Sequence, residues 1–149
     1  MNAAPPPAYA EPAPRARLWW SFVGAWTCVV CTFSLSKGSV VGDWLRLMAS
    51  WLRRAGVRGA PHETVYHLLG FVVLGVLVGV ALRTQGRLWS WSWWGGACAC
   101  MFALGGVVEG LQVFVPARTV SWFDFGGNVL GAALGLGATT GVWALRDRT

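Results

Sequence analysis

Four stretches of this chain run for about the thickness of a lipid bilayer without a charged residue: Leu18–Ser36, Thr64–Leu82, Leu88–Val108 and Phe125–Leu145. A transmembrane helix needs about 20 mostly apolar residues, so each stretch predicts one. The third continues past Glu109 to about residue 112. The helices of a soluble bundle would alternate apolar and charged faces at the helical period, and these stretches carry no charged face. Composition agrees with that reading. Only 12% of the 149 residues are charged, against roughly 25% in soluble domains. The 11 Trp and 20 Gly suit membrane interfaces and close helix approach respectively. The expected fold is all-α: a polytopic membrane protein with a four-transmembrane-helix bundle over residues 18–145.

The flanking segments read differently. Residues 1–17, MNAAPPPAYAEPAPRAR, hold five of the seven prolines and have little to bury, which predicts a disordered tail. Residues 146–149 form a short basic tail. The first apolar run exceeds the roughly 7–15 residues of a signal-peptide core, so it reads as an uncleaved helix. Between helices one and two, Trp44, Leu47, Met48, Trp51, Leu52 and Ala55 recur at helical spacing, while Arg46, Ser50, Arg53 and Arg54 point elsewhere. That pattern predicts an amphipathic helix near 43–55 in the headgroup plane; a loop helix packed on the bundle is the alternative. The net charge of +6 sits at helix ends, where it meets lipid headgroups, and gives no pointer to nucleic acid. Arg15, Arg17, Arg83, Arg87, Arg146 and Arg148 all lie close to spans on one side, so the positive-inside rule puts both termini in the cytoplasm. Cys28, Cys31, Cys98 and Cys100 sit in apolar helices and read as small packing residues.

The polar residues inside the apolar blocks are the informative ones. Glu63 and His67 are four apart at the start of helix two. Glu109 and Gln112 are three apart near the end of helix three. Asp124 and Asn128 are four apart at the start of helix four, and Gly131 and Gly135 continue that stripe. In an up-down bundle those three helix ends share one membrane face, with Arg118 in the loop above. An acid at mid-membrane costs about 2.5–3.5 kcal/mol on insertion scales, so such groups turn inward and pair. The expectation is one polar constellation at one end of the bundle.

The same residues resemble the VanZ-like family of membrane proteins. The block ETVYHLLGFVVLG at 63–75 is similar to that family's acid-Lys-x-x-His-Phe-x-x-Tyr-x-x-Leu-Gly pattern. Glu63 stands for the usual Asp, His67 is the family His, Phe71 stands where Tyr is common, and Thr64 replaces the usual Lys. The block EGLQVFVPARTVSWFDFGGNVLGAALG at 109–135 is similar to the family's Glu-x-x-Gln, Pro-x-Arg, Asp-x-x-x-Asn-x-x-Gly pattern. Glu109, Gln112, Arg118, Asp124, Asn128 and Gly131 fall on it. The resemblance implies a membrane protein of a family named for a component associated with teicoplanin resistance, and it leaves the mechanism open.

Three classes of function fit these residues. In one, the site binds an anionic envelope lipid, a glycopeptide-type ligand or a partner protein, with Arg118, Gln112 and Asn128 as binding residues. In another, it modifies a lipid or envelope precursor, with His67, Glu63, Glu109 and Asp124 as acid–base candidates. In the third, the cluster only locks the helices together. No metal motif of the HExxH type is present, and neither a metal nor an organic cofactor is expected.

Overall fold

The computed structural model describes residues 14–36, 47, 50, 51, 53, 54, 62–116, 118 and 120–149. Four long helices lie among the described residues: α1 (Pro14–Leu35), α2 (His62–Thr84), α3 (Trp91–Gln112) and α4 (Trp122–Arg146). All four are long and apolar enough to cross a membrane. In hydrocarbon a helix satisfies its own backbone polar groups, which is why the apolar runs take this form. The protein is a multi-pass, all-helical membrane protein.

The helices overrun the charge-free stretches by a few residues. α1 starts at Pro14, so Arg15 and Arg17, placed in the tail by composition, belong to its first turn. Proline is tolerated in a first helical turn because its missing N–H would have no partner there. Of the amphipathic segment expected at 43–55, Leu47, Ser50, Trp51, Arg53 and Arg54 are described, and these are helical. The Arg54 guanidinium lies 5.8 Å from the Trp51 ring centroid. The rest of that segment, and residues 1–13 of the tail, fall outside the described residues.

The centre of the bundle is the α2–α4 pair, which shares the most extensive interface. Glycines make the approach possible. A Cβ on Gly131 would collide with the Leu68 carbonyl oxygen, and one on Gly135 with that of Val72. From the other side, a Cβ on Gly75 would meet the Ala132 carbonyl at 2.5 Å. α1 packs on α2, where the Trp26 indole N–H donates to the Gly70 carbonyl at 2.9 Å. α3 leans on α4, with the Phe102 and Phe125 rings edge-to-face at 5.0 Å. The apolar core includes Val30, Phe71, Leu74, Leu82, Met101 and Leu136.

The two ends of the bundle differ. α2 passes into α3 through a tight turn. Arg87 N–H donates to Leu82 O at 2.9 Å and Gly86 N–H to Arg83 O at 2.9 Å. This is a Schellman closure, which places residue 86 in the left-handed region; Gly86 has φ 68°. At this end Arg83 donates to Asp147 at 2.8 Å, and Arg83 and Arg146 both lie over the Trp143 ring. The opposite end carries the buried ionisable residues His67, Glu109 and Asp124, with Gln112 and Asn128.

Candidate functional site

Asp124 enters the site through the start of α4. Ser121 caps that helix, its hydroxyl accepting the Asp124 N–H at 3.3 Å. A Ser at this position satisfies a backbone donor that has no partner within the helix. The Asp124 carboxylate then lies in the first turn, where the helix dipole favours negative charge. It also accepts the Thr64 hydroxyl of α2 at 2.5 Å. Thr64 stands where the family pattern has Lys, and it meets the acid with a neutral hydroxyl.

One turn further along both helices, His67 and Asn128 meet. Asn128 is fully buried at 0% exposure and His67 nearly so at 7%. The Asn128 carbonyl can only accept, so His67 Nδ1–H donates to it, at 3.0 Å. In the neutral ring that leaves the Nε2 lone pair available. Asn128 Nδ2 in turn donates to Glu109 Oε1 at 3.4 Å, and His67 Nδ1 lies 3.5 Å from the same oxygen. The other oxygen, Oε2, accepts the Ser121 backbone N–H at 3.5 Å. Glu109 is 3% exposed, yet these contacts exceed the roughly 2.7–3.2 Å of good N–H···O bonds. Its carboxylate is enclosed but loosely held. Gly105, one turn below Glu109 on α3, leaves the space for Asn128; a Cβ there would sit 3.1 Å from Asn128 Cβ.

His67, Glu109, Asp124 and Asn128 therefore converge from three helices at one end of the bundle. Arg118 is half-buried in the α3–α4 loop, its N–H bonded to Val115 O at 3.1 Å. Gln112 goes elsewhere. It is buried, and its amide reaches the Ser34 carbonyl at the end of α1, 3.4 Å away. Glu63 lies in the first turn of α2, but its side chain falls outside the described residues. Among the described residues no three His, Cys, Asp or Glu side chains gather as a metal site. Two contributors have no role assigned by the sequence: Thr64, which there only replaces the family's Lys, and Ser121. The cap signal was present in Ser121-x-x-Asp124.

The family model of VanZ/LLP1 matches residues 19–144, a range that covers most of all four helices and the whole polar cluster. The chain belongs to the VanZ/LLP1 family, as a VanZ-like membrane protein. No curated protein and no solved structure matches it.

Proposed function

We propose that this VanZ-like protein binds the anionic part of an envelope lipid or of a glycopeptide-type ligand at the polar end of its bundle. Arg118 is the anion-holding group, because guanidinium recognises phosphate and carboxylate with two parallel hydrogen bonds. The observation that carries this reading is Glu109. A carboxylate that served only to lock helices together would gain most from short bonds, whereas Glu109 is buried with contacts of 3.4–3.5 Å. One of these comes from Ser121, three residues beyond Arg118, so the buried acid lies beside the loop that carries the cation. The His67–Glu109 pair supports a second reading, proton transfer to or from a bound lipid or envelope precursor with His67 Nε2 as the acceptor. In this proposal the protein resides in the cell membrane with both termini cytoplasmic, and the polar end faces outward.

The test is expression of the wild type and of Arg118→Ala in a glycopeptide-sensitive bacterium, scoring teicoplanin susceptibility and the amount of protein in the membrane. The expected outcome is normal accumulation of the variant with loss of the tolerance that the wild type confers. Arg118 lies in the α3–α4 loop and is partly exposed, and charge interactions at the surface are worth only about 0–1 kcal/mol, so the variant is expected to fold and insert. Disappearance of the variant from the membrane makes Arg118 a structural clamp and ends the binding reading. So does tolerance equal to that of the wild type.

A further inference from the structure

On the side of the bundle away from the polar cluster, α1 and α3 part, and α2 floors an apolar cleft of about 320 Å³. Its walls include Trp20 and Val23 of α1 and Ala97 and Leu104 of α3, with Leu74 and Val78 of α2 beneath. Thr27 also lines it, but its hydroxyl is used within α1, donating to Val23 O at 2.8 Å. The volume falls within the roughly 300–1,000 Å³ of small-molecule pockets. In a bundle that crosses a membrane, such a space opens onto lipid chains rather than water. Hydrophobic transfer then gives no preference for filling it, since lipid tails are as apolar as the walls. A retained lipid must be distinguished by fit and by its headgroup.

The cleft supplies both. Its inner end, at Leu74 and Leu104, lies towards the middle of α2 and α3. Its outer end is lined by Leu82 and Trp93, next to the basic turn. There the Arg87 guanidinium lies 3.9 Å over the Trp93 ring. Arg83 is bonded to Asp147, whereas Arg87 has no carboxylate partner among the described residues. A cation stacked on the mouth of an apolar slot matches an acyl chain beneath a phosphate. We propose that the α1–α3 cleft holds one acyl chain of an anionic phospholipid, with the headgroup on Arg87. This site is separate from the polar cluster and does not depend on its function.

The experiment uses the full chain, purified in detergent and mixed with micelles containing phosphatidylglycerol and phosphatidylcholine. Native mass spectrometry counts the lipid retained. Gly96 lines the cleft, and a Cβ built there meets nothing within 4 Å, so Gly96→Leu fills the slot without a backbone clash. One phosphatidylglycerol per chain is expected on the wild type and none on Gly96→Leu. Arg87→Gln is expected to lower the preference for phosphatidylglycerol about ten-fold, the loss of one charge-assisted contact. Equal retention of both lipids by the wild type, or unchanged retention by Gly96→Leu, overturns the proposal. Should Gly96→Leu not fold, the wild type is photolabelled with a phosphatidylglycerol carrying a mid-chain diazirine. Labelling concentrated at Cys100, Met101 and Leu104 supports the site, and labelling spread over outer positions such as Leu130 and Val142 overturns it.

Discussion

Replacing Asn128 by Ala tests whether the polar cluster is one network. The side chain is wholly buried and makes two contacts, accepting from His67 at 3.0 Å and donating to Glu109 at 3.4 Å. If each contact carried only the average of interhelical hydrogen bonds in membranes, about 0.6 kcal/mol, the pair would contribute about 1.2 kcal/mol. The higher helix propensity of Ala returns up to about 0.7 kcal/mol, leaving a loss near 0.5 kcal/mol. The geometry argues for more. Removing Asn128 strands both partners inside the bundle, and a buried group left without its bond costs about 1–3 kcal/mol. The expected destabilisation is therefore about 2–4 kcal/mol, below the summed extremes because His67 and Glu109 are close enough to turn towards each other. Reversible unfolding of the purified protein in mixed micelles, read by circular dichroism, measures it. The same substitution in a Glu109→Gln background should cost at least about 0.5 kcal/mol less, since neighbours in one network are non-additive. A loss below about 0.5 kcal/mol, or strict additivity with Glu109→Gln, would refute the network.

Two further outcomes follow from the packing and the opposite end of the bundle. Gly135→Ala should destabilise the protein by about 1–3 kcal/mol in the same unfolding assay, because overpacking forces the α2 backbone away and outweighs the roughly 1 kcal/mol that Ala gains in a helix. Arg83→Ala should cost no more than about 1–2 kcal/mol. Its bond to Asp147 is between partly exposed side chains, worth about 0–1 kcal/mol, and its place over Trp143 adds about 0.5–1 kcal/mol; a larger drop in thermal stability would mean that this end anchors the bundle.

The helices were legible because charge is so costly in hydrocarbon that its absence marks each span. The convergence of His67, Glu109, Asp124 and Asn128 was legible because three- and four-residue spacing fixes a shared face and short loops fix which ends are neighbours. Spacing says which face a residue occupies, and it does not say which helix that face meets. Gln112 shares a face with Glu109, yet α1 lies against that part of α3, so the amide finds Ser34. The start of α1 was misplaced for a related reason. The charges of Arg15 and Arg17 end an apolar run without ending a helix, since at headgroup depth an arginine is as comfortable in a helical turn as in a coil. Nor could composition show that Thr64 would answer Asp124 with a hydroxyl, because that bond depends on the glycine-lined approach of α2 to α4.

That approach also sets an order of events during synthesis. The extensive partner of α2 is not its neighbour α3, which barely touches it, but α4, which leaves the ribosome after both. His67 thus enters the bilayer before the acid that faces it, and before the amide that joins the two. Until Asn128 arrives, histidine and glutamate must be kept by water at the membrane face, by the insertion machinery or by each other. The bonds from Thr64 to Asp124, from His67 to Asn128 and from Asn128 to Glu109 all need residues of α4, so none of them can form until the glycine face of α4 lies against α2.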